Sequence, residues 1–257
     1  MRDVPTLDLA VPRSLRGLVG ASARLYGRHP LLFLALAFVV VAPWDLVLLA
    51  ITGHGPLYNG SESATGFVLR VLVPLTLVTP LISALHLHAV EMAGRGERPT
   101  LLLVGARGLR VLPVVVAASI VSGLGIAAGF AALIVPGIFL TVRWAVVAQA
   151  AAAEPGDWMQ ALSRSWWRTK FHGVHVFAVL VLAGLVGEAV HLAARAADIG
   201  SSSPGAVAVG IAANTVTASF AALITALLYF DLVARLAGEP RRPEYPHLRD
   251  LDPPPGG

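Results

Sequence analysis

Two short spacings in this chain could do chemistry at a metal. Glu188-x-x-His191 puts a carboxylate and an imidazole on one helical face, which is half of a carboxylate-bridged di-metal site and needs a second copy to be complete. His88-x-x-Glu91 has the reverse order and falls at the opposite end of an apolar run, so the two pairs are a membrane apart. His86, His88, Glu91, His172 and His175 share a depth, and we read them as interfacial histidines, with no metal. The chain has no cysteine, which removes thiolate sites and disulfides. It has no G-x-S-x-G nucleophile elbow and no G-x-x-x-x-G-K phosphate loop. No catalytic residue and no cofactor are expected.

What stands out instead is charge inside apolar sequence. Arg143 sits in VPGIFLTVRWAVV, where a charge in hydrocarbon costs about 2.5–3.5 kcal/mol on the insertion scale. It follows Pro136 by about 10 Å of helix and precedes Glu154 by about 16 Å. Asp45, Arg70 and Glu188 fall at a similar outer-half depth, with Asn214 as a neutral neighbour. Ionised groups at such depth face the bundle interior and pair. The expectation is one shared polar cluster of Asp45, Arg70, Arg143, Glu188 and Asn214. It would serve helix packing or a solute pathway; separate snorkelling of each group is the other reading.

These residues need elements to carry them. The chain is 56% hydrophobic and 13% charged, with mean hydropathy +0.74; soluble domains carry about 25% charged residues. Apolar runs long enough to cross a bilayer occupy 31–52, 67–92, 171–194 and 206–236, and 111–153 is long enough for two crossings. Pro136–Gly137 divides that last run best, because proline suits the first turn of a helix; Gly129 is the alternative. This gives spans at about 109–132 and 136–153. Residues 1–11 read as a flexible N-terminus, 12–238 as the membrane domain, and 239–257, rich in proline, as a disordered cytoplasmic tail. The first apolar run reads as a retained signal anchor.

Orientation follows from arginine. The N-terminal segment, the loops 95–110 and 164–170, and the tail hold most of the basic residues, whereas 53–66, 130–137 and 195–205 hold only Arg195. The positive-inside rule puts both termini in the cytoplasm. The basic balance then belongs to a membrane surface, and nucleic acid is not an expected partner.

A threefold pattern underlies the spans: a basic amphipathic segment, then a helical hairpin. In the first unit Leu15, Leu18, Val19, Ser22, Leu25 and Tyr26 share a face and Arg16, Arg24 and Arg28 lie off it. The second, 100–110, is poorer. In the third, Asp157 and Gln160 form a capping box; Trp158, Leu162 and Trp166 make one face and Gln160, Arg164 and Arg168 the other. Such helices lie in the interface with arginine near anionic lipid headgroups. The fold class is therefore all-α: a six-span bundle of three hairpins, each led by a cytoplasmic interfacial helix.

Pro136-Gly137, Arg143-Trp144, Ala161-Leu162, Arg164-Ser165-Trp166, and Tyr229 with Asp231 resemble the membrane domain associated with glycerophosphoryl diester phosphodiesterases, a domain shared by stand-alone bacterial membrane proteins. The resemblance spans roughly 14–238. It implies a bacterial plasma-membrane module without the phosphodiesterase barrel, which takes about 250 further residues, and it carries no catalytic residue to this chain. The expected role is a non-catalytic accessory, scaffold or lipid-interacting one. A solute transporter using the polar cluster and an enzyme acting on lipid headgroups are the alternatives.

Overall fold

The computed structural model describes residues 8–58, 60–61, 63–196 and 203–238. All the regular structure described is helical. Eight helices follow in order: α1 Leu15–Arg28, α2 Pro30–Thr52, α3 Ala64–Gly94, α4 Leu101–Ala132, α5 Ile134–Ala153, α6 Trp158–Thr169, α7 Gly173–Ala196 and α8 Pro204–Gly238. Six of them, all but α1 and α6, are long and apolar enough to cross a membrane. Their outward faces carry bare Leu31, Leu102, Val135 and Val174, an apolar surface that calls for a bilayer rather than water. The expected disordered tail, 239–257, lies outside the described residues, as does the first part of the expected flexible N-terminus.

Helix starts follow local chemistry. Ser14, Ser63, Thr100 and Asp157 each accept a bond from a backbone N–H in the first turn that follows, satisfying donors that no helical carbonyl reaches. Gly53, at φ 70°, lets α2 end in a left-handed residue. α3 is not regular: Val68–Leu72 and Pro74–Val78 are π-helical. Pro74 and Pro80 remove two N–H donors and crowd the carbonyls four residues back, and the ladder widens around them.

α8 is the spine. Leu223, Ile224, Leu227, Leu228 and Leu232 are fully buried, and the helix packs on α2, α3 and α7. α4 packs on α3 and α5. α1 buries Leu18, Ala21, Ser22 and Leu25 and rests on α8.

Two expectations need correction. The segment 100–110 is not a separate interfacial helix: it is the first third of α4, 32 residues long, because nothing between 101 and 132 stops the helix and Pro113 is absorbed within it. The turn between the third and fourth spans falls at Leu133, not at Pro136–Gly137 or Gly129. Pro136 still sits in the first turn of α5, where its missing N–H costs nothing. The connection is this tight because α4 and α5 touch through glycines: a Cβ on Gly129 would meet the Gly137 Cα at 3.1 Å.

Candidate functional site

α3 and α5 are both irregular, and the space they leave open is a chamber. α5 breaks at Trp144–Val146 between Ile134–Arg143 and Val147–Ala153. α8 offers only small side chains on the facing side, with Ala218, Ala221 and Ala222 in the wall. The result is a cavity of about 670 Å³ lined from α2, α3, α4, α5, α7 and α8. Its lining is mostly apolar. Ser119 and Ser122 turn their hydroxyls back onto the carbonyls of Val115 and Ser119 in their own helix, so they add little polarity.

Polar groups gather at one end of it. Asp45 on α2 is 4% exposed and accepts a hydrogen bond from Asn214 Nδ2 on α8 at 2.9 Å. Asn214 Oδ1 is 2.8 Å from His191 Nε2 on α7, and His191 Nδ1 is 3.0 Å from the Gly187 carbonyl oxygen. This chain joins three helices. Arg70 on α3 lines the same chamber, donates to the Gly55 carbonyl at 3.1 Å and lies over the Tyr58 ring. Trp44 Nε1 and Thr217 Oγ1, on two residues of the wall, are buried without a hydrogen-bond partner among the described residues. Deeper along α8, buried Gln149 donates to Thr225 Oγ1 at 3.0 Å.

The structure thus brings together Asp45, Asn214 and Arg70 and adds His191, which the expected cluster left out. It does not bring in Glu188 or Arg143. Glu188 is 69% exposed, with Arg195 at 3.6 Å. Gly187 faces α8, where its Cβ would meet Thr217 at 2.8 Å; the next residue along, 100° around the helix, faces away. Arg143 has no carboxylate partner among the described residues. Its guanidinium lies 4.8 Å from the Phe139 ring centre and 5.3 Å from that of Trp166, so cation–π attraction takes the place of an ion pair. Its carbonyl accepts from Ser165 and Thr169 on α6 at 3.0 and 3.1 Å.

At the opposite end of the bundle the acids are each surrounded by several donors. Glu154 accepts from Arg168, from Tyr229 at 2.5 Å, and pairs with Arg164 at 3.2 Å. Asp231, fully buried, accepts from the Arg13 N–H, from Arg235 Nε at 2.8 Å and from His175 at 3.1 Å. Arg164 and Arg168 were expected to face lipid headgroups; they are turned inward onto Glu154 instead. Trp166 is also drawn in, against Phe139, Trp144 and Arg143. Arg16, Arg24 and Arg28 are exposed along α1, and Trp158 is exposed on α6.

Comparison with protein-family models, with curated proteins and with solved structures finds no match to this chain. The functional reading therefore rests on the geometry.

Proposed function

We propose that this chain is a non-catalytic, lipid-interacting module of a bacterial plasma membrane that holds an amphiphilic molecule in its chamber. The observation that carries the reading is the chamber itself: a long apolar wall ending in Asp45, Asn214, His191 and Arg70. An apolar body fits the wall, and a polar head fits the end. The buried, unpartnered Trp44 Nε1 and Thr217 Oγ1 add donors that a head with acceptor oxygens would satisfy. The arginine distribution supports a cytoplasmic location for both chain ends. The bundle reads as three hairpins, with α1 and α6 leading the first and third at the interface and the arginine-rich start of α4 leading the second. The resemblance to the phosphodiesterase-associated membrane domain agrees with this role.

Native mass spectrometry of the full chain, purified and then offered a polar lipid extract, tests the proposal. We expect a bound amphiphile that survives delipidation, and loss of about tenfold or more of its occupancy in Ala218→Phe, which fills the chamber. An unchanged adduct in Ala218→Phe, or none in the unmodified chain, would overturn it.

One feature favours a second reading, transport of a small solute. The non-α-helical turns of α3 and the broken α5 both border the chamber, and interrupted helices line many transporter sites. Flux into proteoliposomes that stops in Asp45→Asn would support transport; no flux with any of a panel of ions and small solutes would leave the binding module standing.

A further inference from the structure

We propose that Asp45, Asn214 and His191 form a proton-binding site that holds one exchangeable proton and opens on the chamber. The reasoning needs only donor and acceptor parity. His191 Nδ1 lies 3.0 Å from the Gly187 carbonyl oxygen. A carbonyl only accepts, so Nδ1 keeps its hydrogen in every state. The variable atom is Nε2, 2.8 Å from the Asn214 amide. The other end of that amide is 2.9 Å from Asp45 Oδ2.

A side-chain amide has one donor end and one acceptor end. The groups flanking it must then be one acceptor and one donor. With Asp45 as carboxylate, the Asn214 NH2 points to it, and the amide oxygen needs a hydrogen on Nε2: His191 is the imidazolium. With Asp45 as carboxylic acid, its O–H donates to the amide oxygen, the amide is rotated by half a turn, and its NH2 donates to bare Nε2: His191 is the neutral imidazole. Each arrangement satisfies every group, and each holds one proton across Asp45 and His191. With none at all, the amide oxygen and bare Nε2 face each other, acceptor against acceptor; a second proton has to go on Asp45 Oδ1, off the bridge, and strips the imidazolium of its counter-charge. The first fault leaves a buried polar group unpaired and the second a charge without its partner, and both are unfavourable.

The two arrangements interconvert without redox chemistry. The Nε2–H bond breaks and its proton passes to water in the chamber; the amide rotates; water returns a proton to Asp45, forming the O–H bond. Charge separation and neutrality are thus alternatives at a fixed proton count. A dipolar or charged head entering the chamber favours the ion-pair form, and an apolar filling favours the neutral one, since charges in low dielectric are stabilised only by partners.

The surroundings allow this. From α3, Arg70 is the other charge in electrostatic reach of Asp45. The chamber walls from α4 and α5 carry only neutral side chains. On α7, Glu188 is turned outward toward Arg195. None of these neighbours needs to change its own proton for Asp45 and His191 to exchange theirs, and the site does not depend on which molecule occupies the chamber.

Solution or solid-state NMR on the full chain in lipid nanodiscs tests it, using the His191 ring nitrogens and the Asp45 carboxyl carbon from about pH 4 to about pH 9. We expect two titration steps separated by a plateau in which the pair carries one proton. Removing the bridge in Asn214→Ala should shorten that plateau by about one pH unit or more, a tenfold change. Unchanged midpoints in Asn214→Ala would overturn the proposal. Should that variant not fold, the unmodified chain decides alone. Ionised Asp45 with doubly protonated His191, or protonated Asp45 with neutral His191, at about pH 7 supports the site. Ionised Asp45 beside neutral His191, or both protonated, overturns it.

Discussion

The two ends of the bundle treat their acids in opposite ways. At the arginine-rich end, Asp231 and Glu154 are surrounded by arginine, histidine and tyrosine donors, and little acceptor capacity is left over. At the chamber end, Asp45 is 4% exposed and takes one hydrogen bond among the described residues, from an uncharged amide. A carboxylate accepts about four. The difference teaches what each end is for. Saturated pairs tie elements together: Asp231 and Arg235 grip both the N–H and the carbonyl of Arg13 and so fasten the N-terminal segment to α8. An under-saturated acid beside a cavity keeps capacity for something else, and pairing of this kind is how binding sites are built.

Substitutions can break that contrast, and the largest effect belongs at the saturated end. Asp231→Ala leaves Arg235 and the Arg13 backbone without their acceptor; a loss of about 3–5 kcal/mol is expected in denaturant unfolding of the detergent-solubilised chain. Glu154→Gln keeps the shape but removes the charge that Arg164 and Arg168 share, and about 1.5–3 kcal/mol should go. At the chamber end the test is coupling rather than loss. A double-mutant cycle between Asp45→Ala and Asn214→Ala should show an interaction of about 0.5–3 kcal/mol, while Asp45→Ala and Arg143→Ala should add within about 0.5 kcal/mol. The smallest change is expected for Arg143→Lys, about 0.5–1 kcal/mol in the same assay, because an ammonium keeps the attraction to Phe139 and Trp166 but loses the planar stacking. A result in which Arg143→Lys exceeds Asp231→Ala would reverse the ranking of the two ends.

How the fold was legible follows from the same residues. Length and apolarity locate α2, α3, α7 and α8 to within a few residues, because the bilayer fixes how long such a run must be. Asp45, Arg70 and Asn214 were also legible, since polar groups within those runs are costly. Depth along a helix says nothing of direction around it, and direction decides which groups meet. Glu188 has the right depth and the wrong face. The available signal was Gly187, a small residue of the sort that marks close helix contact; four residues on, His191 shares its face and Glu188 does not. Arg143 escaped for another reason. Its guanidinium lies against the Phe139 and Trp166 rings, and α5 is broken directly after it. Nothing in TVRWAVV announces that break; it is a packing outcome, with α6 supplying Ser165 and Thr169 to bond the Arg143 carbonyl freed there. Likewise Arg164 and Arg168 look like headgroup ligands in sequence because Glu154, ten and fourteen residues back, meets them only once α6 has folded against the end of α5.

The division of labour between the ends is tested most directly by the amount of amphiphile that remains on each folded chain in native mass spectrometry, compared between Asp231→Asn and Asp45→Asn. The account predicts that Asp231→Asn, though less stable, retains the adduct of the unmodified chain, and that Asp45→Asn loses about tenfold of it at nearly unchanged stability. Equal retention in both, or loss in Asp231→Asn alone, would contradict it.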